Sequence, residues 1–133
     1  TYQMKIIKSL LAFAAIFSMN SGNAQVIIRT WPEIKNYHEL MTKSYKSAKK
    51  GDFNPIKNYA TTLSKDAEKL CVENMPQNFR QPKTIEALVK LKRESKSIKE
   101  LVENKASNNE IFETLKSIHH TFVKMSDLCC QKK

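Results

Sequence analysis

Glycine and proline are scarce in this chain of 133 residues, and their positions divide it into long uninterrupted segments. Beyond residue 24 the only glycine is Gly51, and the four prolines are Pro32, Pro55, Pro76 and Pro82. Between these positions the apolar residues recur every three to four places, which is the period of an amphipathic α-helix. Because glycine and proline disfavour helix interiors, the chain is predicted to form helices that begin and end near these positions.

Four helices are expected, and each carries one apolar stripe. The first begins at Thr30, with Glu33 three residues on, a pattern typical of a capping box. The second begins at Asn54, a capping side chain followed by proline, and the third begins near Pro82. The fourth begins at Ser107, again with an acid three residues on. Similar lengths and short connections predict an all-α fold, an up-down-up-down antiparallel four-helix bundle.

The N-terminal segment has the pattern of a secretory signal peptide. Lys5 and Lys8 lead into an apolar run, and the small residues Gly22 and Ala24 fit a cleavage site. We therefore expect a signal peptide over residues 1–24, with 1–3 as an upstream remnant, and one bundle domain over 25–133. The product is expected to be periplasmic or secreted. No later apolar run is long enough to span a membrane.

Charge and motifs narrow the function classes. The net charge is +10, but the lysines are spread along the chain rather than gathered with aromatics, so nucleic acid is not expected as a partner. An anionic envelope surface is a possible partner, and a redox partner is the alternative. The chain has no glycine-rich phosphate loop, no Gly-x-Ser-x-Gly and no His-Glu-x-x-His, so an enzyme is not predicted.

Alternating helix directions would bring histidine, methionine and cysteine residues, which are potential ligands, together at one end of the bundle. The start of the first helix would lie at the same end as the ends of the second and fourth helices. Helical spacing turns His38 and His119 toward the interior and His120 toward solvent. The residues expected at or near this end are His38, Met41, Cys71, His119, Met125, Cys129 and Cys130.

A methionine on the first helix and a histidine on the last, in an exported four-helix bundle, resemble the cytochrome b562 family and more loosely cytochrome c′. The resemblance implies a non-covalent haem b with Met41 and His119 as axial ligands. The Cys-x-x-Cys-His attachment motif is absent from the chain, so covalently bound haem is not expected.

A transition-metal site is the second interpretation of the same end. His38 lies three residues before Met41, and Met125 lies four residues before Cys129, so each pair shares a helix face. Imidazole, thioether and thiolate suit copper(I), whereas imidazole and thiolate suit zinc. The ligand set predicted for this site is His38, His119, Met125 and Cys129.

A second resemblance concerns exported bundle proteins that carry paired histidines on their first and last helices. His38-Glu39 and His119-x-x-Phe122 match that pattern. Lys46 and Val123 stand where the second histidine of each pair would be, so this chain is similar to a reduced version of the pattern.

The three cysteines allow a disulfide. In an oxidising compartment Cys71 could pair with Cys129 or Cys130 and join two helix ends. The odd thiol leaves intermolecular pairing open, so either a monomer or a disulfide-linked dimer is expected. Two functions are thus carried forward: a haem- or metal-binding bundle for electron transfer or metal handling, and a non-enzymatic bundle that acts through its surface without a cofactor.

Overall fold

The computed structural model describes residues 22–130, and in that range the chain is all-helical, without a strand. The N-terminal part of the expected signal peptide, residues 1–21, lies outside the described residues. The described elements comprise five α-helices and one short 3-10 helix: α1 (22–30), α2 (Glu33–Lys49), α3 (Asn54–Glu68), the 3-10 helix Gln77–Phe79, α4 (Pro82–Glu103) and α5 (Asn108–Cys129).

The four long helices pack in a closed order. α2 packs against α3 and α5, and α4 packs against the same two helices. α2 and α5 run in opposite directions, because Tyr37 stacks on Phe122 whereas Tyr45, two turns later in α2, stacks on Phe112, earlier in α5. None of the described helices combines the length and the apolarity that crossing a membrane requires.

Glycine and proline lie at the helix ends largely as predicted. Gly51 has a φ of 90°, and the N–H groups of Gly51 and Asp52 return to the carbonyls of Ala48 and Ser47 at 2.9 Å each. This left-handed C-terminal cap ends α2. Proline also stands at the start of α4, as the sequence predicts.

At the helix N-termini the structure differs from two of the predicted caps, Thr30 and Asn54. Ser107 caps α5 as predicted, because its Oγ accepts from the N–H of Glu110 at 3.2 Å. Thr30 does not cap α2, since residues 22–30 are helical and its Oγ1 donates back to the carbonyl of Val26 at 2.6 Å. Asn54 is already helical, and Asp52 instead accepts from its N–H at 3.0 Å.

The helix α1 is a finding that the sequence analysis did not anticipate. Ala24 and Ile27 are buried in the core, and Asn23 donates to Asp127 of α5 at 2.6 Å. Trp31, which follows α1, is fully buried, and its ring N–H donates to Asn74 at 2.9 Å. The predicted cleavage position therefore falls within a packed helix, and the boundary at residue 25 stays a prediction.

Candidate functional site

The two predicted histidine ligands, His38 on α2 and His119 on α5, lie along one seam, which we call the α2–α5 seam. The ring of His38 packs on Phe122 with 5.0 Å between centroids, and the ring of His119 stacks on Tyr45 at 4.4 Å. Phe112 continues the row, with its ring stacked on Tyr45 at 6.2 Å. The antiparallel pairing of α2 and α5 thus brings the two predicted histidines to a common interface.

Partial burial favours the neutral form of both histidines, because it lowers their pKa values. Burial lowers the pKa of His38, and the neighbouring Lys46 lowers it further, although Glu39 opposes both effects. Burial likewise lowers the pKa of His119, which also faces the positive charge of Lys49. A neutral imidazole has a free nitrogen lone pair, so the form that burial favours is the one that binds metal ions.

Both predicted methionine ligands belong to the hydrophobic core. Met41 and Met125 are almost completely buried. The rings of Tyr45 and Phe122 occupy the space beside the two imidazoles, so a porphyrin bound there would have to displace them. These residues therefore do not fit a haem as they are packed in the structure, and haem ligation by Met41 and His119 stays a prediction.

The four predicted metal ligands are spread along the bundle. His119 and Cys129 are ten residues apart in α5, which separates them by about 15 Å along the helix axis. Among residues 22–130 no group of three or more His, Cys, Asp or Glu side chains is placed to hold a metal ion. The seam pair His38 and His119 is the part of the predicted set that shares an interface, and the complete set with Met125 and Cys129 stays a prediction.

The structure corrects the disulfide prediction. Cys71, Cys129 and Cys130 are all free thiols. Cys71 follows α3, which packs on α2 and α4, so it lies at a corner diagonal to the end of α5. Burial raises the pKa of the Cys129 thiol to about 12 and also raises the pKa of Cys130.

A basic groove between α4 and α5 was not singled out from the sequence. We call it the α4–α5 groove, and its volume is about 620 Å³. Three of its cations belong to α4 at positions 83, 90 and 93, and this spacing, which places them on one helix face, is the signal that could have revealed the groove. Its lining consists of Lys83, Glu86, Ala87, Val89, Lys90, Arg93, Thr121, Lys124 and Leu128.

The cations of the groove form no close ion pairs with acids in the described part of the chain. Within the described part of the chain, no carboxylate lies within 4.0 Å of the side-chain nitrogens of Lys83, Lys90, Arg93 or Lys124. By contrast, Lys116 elsewhere on α5 is ion-paired at 3.0 Å. The groove therefore carries four positive charges against the single acid at position 86.

The nearest acid in sequence to Arg93 is held by hydroxyl groups. Glu94 accepts a hydrogen bond from Thr121 at 2.6 Å and another from Ser117, both in α5. This arrangement joins α4 to α5 and directs the carboxylate oxygens at α5 hydroxyls rather than at the groove cations. Glu94 therefore stabilises the wall of the groove without pairing with its cations.

No protein-family model, curated protein or solved structure matches this chain. No family is therefore assigned on the basis of comparison, and the resemblance to cytochrome b562 stays a prediction.

Proposed function

We propose that this protein is an exported, non-enzymatic bundle that binds anionic surfaces of the cell envelope through the α4–α5 groove. The observation that carries the proposal is the convergence of Lys83, Lys90, Arg93 and Lys124 on one groove without carboxylate partners. Export is supported by the signal-peptide pattern of the N-terminal segment.

The proposed architecture is the up-down-up-down four-helix bundle, with α1, described over residues 22–30, as an additional helix. The closed packing order of α2 to α5 and the antiparallel pair α2 and α5 support it. In this arrangement α4 and α5 are neighbours, and the four cations of the α4–α5 groove lie where these two helices meet.

Electrostatics explains how such a face would select its partner. Unpaired cations clustered within one groove add their potentials, whereas lysines with nearby acids contribute little beyond a Debye length of about 10 Å at 0.1 M salt. An anionic surface would gain attraction at the groove without first breaking ion pairs. Binding is therefore expected to weaken as the salt concentration rises.

Co-sedimentation with lipid vesicles tests the proposal. The intact chain is expected to bind vesicles that contain phosphatidylglycerol and not to bind vesicles of pure phosphatidylcholine. Neutralising the groove, with K83Q, K90Q, R93Q and K124Q combined, should weaken binding about tenfold or more.

A matched control separates groove binding from general charge attraction. The exposed lysines at 35, 50, 57 and 65 lie away from the groove, and changing all four to glutamine removes the same charge. This control should retain affinity within about twofold. Equal losses in both variants, or no binding of the unmodified protein to anionic vesicles, would refute the proposal.

Metal handling by the α2–α5 seam is the second candidate function. It is favoured by the shared interface of His38 and His119 and by the lowered pKa of both imidazoles. Titration with copper or zinc should show saturable binding that H38A and H119A each weaken, whereas H120A should not. Addition of haemin tests the haem alternative, which requires a Soret band that is lost in M41A and H119A.

A further inference from the structure

We propose that the α4–α5 groove is a site for one free anionic amphiphile with a single alkyl chain, such as a long-chain carboxylate. The inference rests on the proposed function, because it concerns the same groove and the same cations. It adds that the groove, besides facing an anionic surface, can hold one discrete molecule.

The shape of the groove favours a discrete ligand. Its volume of about 620 Å³ lies in the range of sites that hold small molecules. A single alkyl chain is small enough to lie within that volume.

The lining is amphiphilic, as a ligand with a charged head and an apolar tail requires. Val89 and Leu128 supply accessible aliphatic surface among the cations, whereas Ala87 is buried. Val89 is 55% exposed, and among residues 22–130 it is one of two large hydrophobic side chains that are exposed, the other being Tyr59 on α3. An alkyl chain in the groove would remove Val89 from water, which is favourable in proportion to the apolar area covered.

The length of the groove matches an extended chain. Lys83 and Arg93 are ten residues apart in α4, which places them about 15 Å apart along the axis. That distance is comparable with the length of an extended dodecyl chain. Cations along both walls mean that the head group can be held while the chain runs beside α4.

The polar groups of the groove predict which property of the head group it recognises. The Thr121 hydroxyl already donates to Glu94, so its hydrogen is not available to a bound head group. Recognition then depends on Lys83, Lys90, Arg93 and Lys124, whose charges select the sign of the head group more strictly than its geometry. Carboxylate and sulfate heads should bind alike, and a cationic head should be rejected.

Calorimetric titration of the full chain with sodium dodecanoate, below its micelle-forming concentration, tests the inference. We expect one molecule bound per chain, no comparable binding of acetate, and no binding of dodecyltrimethylammonium. K90Q combined with K124Q should weaken binding about tenfold. V89S should also weaken it, whereas Y59S, a matched change at an exposed residue outside the groove, should not.

The outcomes separate this inference from the proposed function. Vesicle binding without saturable dodecanoate binding would overturn the amphiphile site and leave the surface function standing. Failure of both would overturn both. Dodecanoate binding that V89S and the K90Q/K124Q variant leave unchanged would place the ligand elsewhere and refute the site. Because Val89 and both lysines are exposed, circular dichroism should show that these variants retain the helical fold.

Discussion

The hydroxyl oxygen of Tyr37 in α2 lies 2.7 Å from that of Ser95 in α4, and both side chains are fully buried. Ser95 donates its one hydroxyl hydrogen to the carbonyl of Leu91 at 2.8 Å, so Tyr37 must be the donor to Ser95. This chain of hydrogen bonds links two helices that face each other across the core. Burial also raises the pKa of Tyr37 well above its ordinary value, which keeps the phenol protonated.

The direction of this bond predicts unequal effects of removing its two partners. S95A should destabilise the fold by about 1–3 kcal/mol, because it leaves the buried Tyr37 hydroxyl without an acceptor. Y37F should cost about 1 kcal/mol, because Ser95 keeps its bond to Leu91. Urea unfolding of both single variants and the double variant measures the free energies. If the two single effects simply add, the bond does not couple these helices.

The two predicted capping boxes should respond differently to alanine. S107A should lower the free energy of unfolding by about 1 kcal/mol, because the N–H of Glu110 loses its acceptor. S107D should restore it. T30A should change it by less than about 0.5 kcal/mol, since Thr30 bonds to Val26 at an exposed site. A larger loss for T30A than for S107A in urea unfolding would contradict this assignment.

The end of α4 holds a lysine in a conformation that favours glycine. Lys105 has a φ of 56°, and the N–H groups of Lys105 and Ala106 return to the carbonyls of Val102 and Leu101. K105G should therefore stabilise the protein by about 1 kcal/mol, as the left-handed backbone no longer strains a side chain. K105A removes the charge and keeps the strain, so it serves as the control. An equal gain in thermal unfolding for K105A would show that charge, not backbone conformation, is responsible.

The histidines of the α2–α5 seam predict a loss of stability in mild acid. Because folding lowers the pKa of His38 and His119, the unfolded chain binds protons more readily than the folded one. Their contribution is complete above the ordinary histidine pKa of about 6.5 and is lost as the pH falls below it. Urea unfolding between about pH 7.5 and 5.5 should show this decline.

Substitution identifies the groups responsible for that decline. Combining H38Q with H119Q should flatten the pH dependence, whereas H120Q, at an exposed neighbour, should leave it unchanged. Lys46 and Lys49 favour the neutral imidazoles, and Glu39 favours the charged form of His38. A pH dependence unaffected by the double substitution would assign it to other groups.

The free cysteines predict a thiol count and an order of reactivity. Each chain should contain three reactive thiols without added reductant, in agreement with the free state of Cys71, Cys129 and Cys130. Cys129 should react more slowly than a freely exposed thiol at pH 8, because burial raises its pKa to about 12 and leaves little thiolate. Alkylation followed by peptide mass spectrometry gives both results, with C129S as the control for assigning the slow thiol. Detection of one thiol per chain would restore the disulfide hypothesis.

Local patterns were enough to predict several elements. Pro82 and Ser107 mark the starts of α4 and α5, and Gly51 ends the α2 segment. These signals act through the chain's own backbone within a few residues, so they are visible without knowledge of the fold. The apolar period likewise predicts which side of each long helix is buried, because each stripe must be removed from water.

Longer-range packing explains where the predictions differ from the structure. Residues 22–30 contain the β-branched run Val26 to Ile28, yet they are helical, and Ile27 is fully buried. The side chain of Asn74 organises the turn after α3 by binding Trp31 and the carbonyl of Lys69. No local sequence pattern predicts this contact, because Asn74 and Trp31 are brought together by tertiary packing.

By itself the sequence determined that the chain is helical, where most of the long helices begin and end, and that it carries an excess of positive charge. Only the tertiary structure decided that His38 and His119 meet aromatic rings along the α2–α5 seam, that the three cysteines are free thiols, and that four cations converge between α4 and α5. The physical reason is that helix formation depends on residues three or four places apart, whereas these arrangements depend on how each helix is rotated and which neighbours it packs against.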